Sequence, residues 1–201
     1  MTGLEGGWDT AAVLRAYARG LFPMADERGR LGWYASREHA LLPIGAPGEP
    51  HALHVPRSLR RRLNDPRFEE RRDTSFHEVV RACAEDREDT WISEELRSLY
   101  DALHAAGAAH SMETYVDGKL AGGVFGLAIG GAFIAESMVT RTPEAGKVAL
   151  VRLTRHLAAR GFILLDAQVM NPHLERFGAY PVSERVYAKL LARAVQGQAG
   201  F

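Results

Sequence analysis

Cysteine occurs once in the 201 residues, at Cys83. A lone thiol excludes an internal disulfide and, with no second sulfur ligand, offers neither a zinc knuckle nor a redox pair. Its helical apolar surroundings read as those of a small buried residue. Lysine is scarce too, the sum of 25 basic residues being almost all arginine. That skew reads mostly as genomic base composition, although the arginine fork suits phosphate better than the point charge of lysine. No apolar run approaches the roughly 20 residues of a membrane span. The opening MTGLEGGWDT has neither the basic nor the apolar stretch of a secretory or transit signal, so a cytoplasmic protein without membrane attachment is expected. Net charge is zero, which argues against a surface coated for general nucleic-acid binding.

What is present fits one ordinary domain, or a small domain with an N-terminal appendage. A hydrophobic share of 46%, a charged share of 25% and a mean hydropathy of -0.18 exclude disordered, collagen-like and coiled-coil chains. The charge is unevenly placed. Between residues 57 and 72 stand seven arginines (Arg57, Arg60, Arg61, Arg62, Arg67, Arg71, Arg72) against Asp65, Glu69 and Glu70. From Asp73 to Asp101 the sign reverses, so a polyanion would be received on one patch and repelled beside it.

Helical spacing of Ala12, Val13, Ala16 and Tyr17 behind a cap at Asp9 or Thr10 predicts a first helix, stopped by Gly20 and Pro23. Two short strands, Leu31–Ala35 and His39–Ile44, lead into GAPGEP (45–50), which reads as a linker. A boundary is therefore expected near residue 50, with a small N-terminal domain over 1–50 and the main domain over 51–201. Pro56 suits the first turn of a helix to about Leu63, Thr74 or Ser75 caps one through Ala84, and Ser93 caps a third ending at Gly107. The period then changes to two. AHSMETYV, a DGK turn, LAGGVFGLAI, a GG turn and AFIAESMV describe an antiparallel meander. Lys147–Arg160 follows as an amphipathic helix, FILLDAQV (162–169) as a buried strand, and Ala179–Ala194 as a last strand and helix. This order describes an α+β, acyltransferase-like layout.

Asp166 sits inside FILLDAQV, where a carboxylate must be paired or functional. It either salt-bridges an arginine at the strand's end or serves the chemistry. Side chains two apart share a strand face, so Asp166 and Gln168 are expected side by side, able to orient and polarise an amine. Glu136 raises the same question in AFIAESMV. Two shielded carboxylates on neighbouring strands could hold a cationic substrate group. His110, His173, Ser111 and Ser137 form no nucleophilic or metal constellation, and no metal site is expected. RTPEAGK (141–147) has too few glycines for a coenzyme A loop. Trp33, Trp91, Tyr34 and Tyr100 could stack on an adenine or equally pack the core. The arginine run is either a solvated helix face or a phosphate contact.

Together, RGLFPM (Arg19–Met24), LGWY (Leu31–Tyr34), HVPRSLRR (His54–Arg61), ACAEDREDTWI (Ala82–Ile92), LHAAGAAHSME (Leu103–Glu113), ESMVTR (Glu136–Arg141), KVAL (Lys147–Leu150) and DAQVMNPHLERFGA (Asp166–Ala179) carry a resemblance. From Leu14 to about Leu191 the chain resembles the bacterial leucyl/phenylalanyl-tRNA protein transferase family. The resemblance implies a small N-terminal domain, a C-terminal domain of GNAT-like fold, and no coenzyme A or other cofactor. It also implies transfer of Leu, Phe or Met from aminoacyl-tRNA to the α-amino group of proteins beginning with Arg or Lys, marking them for N-end-rule degradation. Carried onto this chain, Asp166, Gln168 and Glu136 fall at the catalytic positions, Gln168 contacting the attacking amine and Asp166 polarising it. Trp33, Trp91, Tyr100, Val124, Phe133, Met138, Leu153, Leu157 and Leu165 correspond to the substrate pocket. Arg57, Arg60, Arg61 and Arg62 fall where the family binds tRNA. The chain departs from the family pattern at Met24, at Tyr34 beside Trp33, and at Ala167 between Asp166 and Gln168. Nothing in the sequence demands an oligomer, so a monomer is expected. Two other classes fit parts of the pattern: an acyl-CoA-dependent N-acyltransferase, which lacks its loop, and a non-catalytic RNA-binding module, which leaves Asp166 and Gln168 unexplained.

Overall fold

The computed structural model describes residues 8–26, 30–45, 48–49, 52–85 and 90–201. Residues 1–7 of the opening segment, 46, 47 and 50 of the linker and 86–89 of the Ala82–Ile92 motif lie outside the described residues.

Helix α1 (Thr10–Tyr17) starts where the Asp9 carboxylate accepts from Ala12 N at 3.2 Å, and it turns Val13, Ala16 and Tyr17 inward. Pro23 does more than stop it. Strands β1 (Phe22–Ala25) and β2 (Leu31–Tyr34) form a separate two-stranded sheet in which Pro23 faces Trp33, a place where the missing amide of proline costs little. Strand β3 (Glu38–Leu42), on the N-terminal side of the expected boundary, is built into the large sheet instead.

The remaining elements are α2 (Arg57–Leu63), β4 (Glu69–Arg72), α3 (Phe76–Glu85), α4 (Glu94–Ala105), β5 (Ala109–Val116), β6 (Lys119–Ile129), β7 (Ala132–Thr140), α5 (Ala145–Ala159), β8 (Leu164–Asp166), α6 (Pro172–Glu175), β9 (Tyr180–Ser183) and α7 (Glu184–Ala194). The large sheet runs β4-β5-β6-β7-β8-β3-β9. All its pairs are antiparallel except β7–β8, which is parallel and joined through α5. The fold is thus α+β with a mixed sheet. Alternation along the strands sends Phe125, Ile134 and Leu164 into a core under α1, α3, α4 and α7. It sends Val124, Phe133 and Leu165 into a second core under α2, α5 and α6. Each such side chain, fully buried, contributes about 1.5–3 kcal/mol.

Three local features differ from the sequence reading. Part of the arginine run is the edge strand β4, where the EERR pattern shows no apolar alternation because charge guards a sheet edge. The strand expected through Val169 stops at Asp166, since Gln168 adopts φ 62. Finally, the register between β6 and β7 jumps: Phe125 faces Ser137 and Gly126 faces Ala135, so Glu136 is the extra residue of a β-bulge.

Candidate active site

A cleft of about 780 Å³ opens over the middle of β6 and β7, at the register jump between them, and over the chain just past the end of β8. Phe22 and Met24 of β1 form one wall with Trp91, and Val124, Met138, Leu150 and Leu174 form the other. Glu136, Ser137, Gln168, Asn171 and His173 supply its polar lining.

The bulge turns Glu136 into this cleft. Its Oε2 accepts from the Tyr100 hydroxyl at 3.0 Å, and Oε1 is sealed from solvent. The Tyr17 hydroxyl and the Gln168 amide flank the same carboxylate. Burial pushes the Glu136 carboxyl up to about 7, while the three neighbours pull it down and the Asp166 charge pushes it further up. Burial likewise raises the Tyr17 and Tyr100 hydroxyls, with the Glu136 charge adding to it.

Asp166 is 1% exposed and does not line the cleft. Its Oδ1 accepts from Gln168 N at 2.8 Å, and its Oδ2 lies 2.9 Å from His39 Nδ1. The partner is therefore a buried histidine, not an arginine at the strand's end. Nor do Asp166 and Gln168 stand side by side on one strand face: the strand has ended, and the two meet through a side chain to backbone bond. Gln168 Nε2 donates to Ala135 O at 3.3 Å, which leaves Gln168 Oε1 as the group able to accept from a substrate amine.

Of the other residues named from the sequence, Trp91, Val124 and Met138 line the cleft, and Tyr100 stands behind Glu136. Phe133, Leu153, Leu157 and Leu165 are buried in the second core and do not line it. Trp33 lies apart as well, its ring 4.8 Å from that of Trp8. Met24 does reach the cleft. On α2, the side chains of Arg57, Arg60 and Arg61 edge a separate open depression of about 1080 Å³. Among the described residues no acid within ion-pair distance engages these three, whereas Arg62 is drawn back by Asp65 at 3.6 Å and lies over Phe68. Ahead of α5, the amides of Arg141 and Thr142 donate to Ala121 O, and a Cβ on Gly146 would strike Val139 O and Thr140, so this helix start is packed against the sheet. Among the described residues, no three His, Cys, Asp or Glu side chains cluster as metal ligands.

The sequence reading missed Tyr17, His39, Leu42, Leu150 and Leu174. His39 left one trace, a polar side chain that follows Glu38 at the head of the apolar run of EHALL and is buried with it.

Comparison with known proteins decides the family. Residues 49–192 match the family model described as leucyl/phenylalanyl-tRNA protein transferase, and residues 8–37 match the model of its N-terminal domain. The chain belongs to the leucyl/phenylalanyl-tRNA protein transferase family. It is 49% identical over 189 residues to a Nostoc punctiforme protein of that name, covering 94% of this chain and 96% of the relative. A Synechococcus relative is 50% identical (94% and 95% covered), and one from Rubrobacter xylanophilus is 48% identical (94% and 96% covered). A Bacteroides thetaiotaomicron protein of unknown function overlaps at a TM-score of 0.43 with 15% identity, covering 78% of this chain and 56% of the other. Both family segments build the cleft: Phe22 and Met24 come from the first, Glu136 and Gln168 from the second.

Proposed function

We propose that the chain moves Leu, Phe or Met from aminoacyl-tRNA to the α-amino group of proteins beginning with Arg or Lys, and that Gln168 and Glu136 are the groups that meet the substrates. The observation that carries this reading is the cleft itself, an apolar slot ending at a buried carboxylate and a side-chain amide, in a chain that matches the transferase family almost throughout.

The aminoacyl ester is already activated, and an α-amine with a pKa near 8 is partly neutral at pH 7, so positioning can supply most of the acceleration. The amine attacks the ester carbonyl, the C–O bond to the ribose breaks, and a proton passes from the amine to the leaving hydroxyl. Gln168 Oε1 accepts one N–H and so aims the nitrogen lone pair. Asp166 has both oxygens committed, so it serves as a positioning residue and not as the base. Glu136 as carboxylate holds a cationic substrate group in a shielded place. The slot between Met24, Val124, Met138 and Leu150 takes the aminoacyl side chain, and side chains differing by a few methylenes are separated only weakly there. Trp91 covers the terminal adenosine. Arg57, Arg60 and Arg61 meet tRNA phosphates, while Arg62, expected among them from the sequence, is drawn back by Asp65.

The GNAT-like reading of the main body is supported by its antiparallel meander followed by a parallel β7–β8 pair joined through α5. A division of the chain into a small N-terminal part and a main body is supported by the separate β1–β2 sheet. Action as a monomer in the cytoplasm belongs to the same proposal; no helix among the described residues is long and apolar enough to cross a membrane.

The test is transfer of radiolabelled leucine from leucyl-tRNA to a peptide with N-terminal arginine, beside N-terminal alanine and aspartate controls. Transfer to the arginine peptide alone is expected. Transfer to the aspartate peptide would overturn the acceptor assignment, and tight tRNA binding without transfer would overturn the enzymatic one.

A further inference from the structure

Asp166 controls Gln168 through a single bond, its Oδ1 to Gln168 N at 2.8 Å. That bond helps hold a non-glycine residue at φ 62, a left-handed conformation that persists only where its surroundings impose it. The Ala40 backbone adds two bonds, Ala40 N to Gln168 O at 3.0 Å and Ala167 N to Ala40 O at 2.8 Å. A carboxyl group turns about its own bond, so a partner on Oδ2 adds to the hold of Gln168 N on Oδ1. That partner is His39 Nδ1, at 2.9 Å, with His39 3% and Asp166 1% exposed; the Tyr187 hydroxyl faces the same carboxylate as a second partner. Opposite a carboxylate, which only accepts, the His39 Nδ1–H is the donor of this bond. The imidazole is itself fixed, stacked on the Tyr187 ring of α7 with centroids 3.5 Å apart and planes 8° from parallel. A buried polar pair adds little net stability over well-packed apolar side chains, so stability alone gives no reason for a histidine here.

We infer that His39 is a positioning residue for transfer, locking the Asp166 carboxylate in the orientation that fixes the Gln168 backbone and aims the Gln168 side chain at the attacking amine. The inference rests on the transferase reading above. It extends the reacting constellation across β3 and α7 to residues remote from the cleft.

Two substitutions separate the donor from the ring. His39→Phe keeps the stack on Tyr187 and removes the donor. His39→Asn keeps an amide donor near the place of Nδ1 and removes the stack. With leucyl-tRNA and an N-terminal arginine peptide, His39→Phe is expected to lower kcat by about 10- to 100-fold, the scale on which orienting partners act. KM for leucyl-tRNA stays within about 2-fold, and His39→Asn recovers most of kcat. A purely structural residue would instead lower activity in both variants in step with the folded fraction, read by near-ultraviolet circular dichroism, and that result overturns the inference. If His39→Phe does not fold, a cycle of His39→Ala, which removes both donor and ring, Asp166→Asn and their double variant replaces it. Additive losses in kcat overturn the inference and coupled losses support it. A wild-type protein that makes no peptide bond overturns the transferase reading and this inference with it. A wild type that transfers while His39→Phe matches it overturns the inference alone.

Discussion

Glu136 shows how one side chain can carry both a cost and a use. Its carboxylate is buried between Tyr17 and Tyr100, and burial raises its pKa to about 7. In the unfolded chain it titrates near 4.3. The folded state therefore holds the proton more tightly, and the resulting stability is complete below about pH 4 and lost as pH rises through about 7. Glu136→Gln removes the titration. In urea denaturation the variant should gain on the wild type by up to about 3 kcal/mol between pH 5 and pH 8. A difference that does not change with pH would mean that burial is not what raises this carboxyl. The same charge is what a cationic substrate group needs, so KM for the acceptor peptide should fall as pH rises through about 7 in the wild type. In Glu136→Gln only the titration of the acceptor amine itself should remain.

At the scale of the element, the β6–β7 pair sets where that carboxylate points. Gly126 lies at the register jump, and a Cβ there would strike Ile134 O, the Phe133 ring and Ala135 Cα. The strands can close over the bulge only because residue 126 has no side chain. Gly126→Ala should cost about 1–3 kcal/mol, as overpacking does, or roughly 2–4 °C of Tm per kcal/mol for a chain of this size. Turnover should fall further than the folded fraction, because Glu136 is re-aimed; a variant that melts lower yet turns over normally per folded molecule would free the bulge from any role in aim. The sequence shows the strands here plainly through their period of two, and the DGK turn shows Asp117 and Gly118 at φ 51 and 72, as a tight hairpin requires. The Ser93 cap of α4 and the apolar face of α5 are equally local and equally legible. The bulge is not, since it depends on which residue of β6 faces which residue of β7. β4 escapes for a similar reason, its charged sequence becoming a strand only because β5 offers an edge. The bond from His39 to Asp166 spans 127 residues, and no local pattern encodes it. Asp166 and Gln168 are legible as chemistry, but the left-handed turn that relates them is not.

Across the whole molecule, two surfaces of opposite character share one support. In the proposed transfer the apolar cleft would take the aminoacyl end and the arginines of α2 the phosphates. His54 N, just ahead of α2, donates to Phe177 O at 3.0 Å, next to the α6 turn that brings Leu174 to the cleft. α2 also packs on α5, whose Leu150 is another wall of the cleft. The two surfaces are therefore held at a fixed spacing yet share no side chain, so their contributions should separate. Arg60→Ala with Arg61→Ala should weaken tRNA binding and flatten the slope of log affinity against log salt by about 1.4–1.8, two contacts at roughly 0.7–0.9 each. An aminoacyl-adenosine with the ester replaced by an amide touches only the cleft. At 100 times its Kd it should stabilise by about 2.7 kcal/mol, raising Tm by roughly 5–10 °C in the wild type and the double variant alike. A smaller Tm rise in the double variant would place the arginines at the cleft instead of on the phosphates. An unchanged salt slope would take the RNA off the α2 face altogether, leaving those arginines as a solvated helix surface.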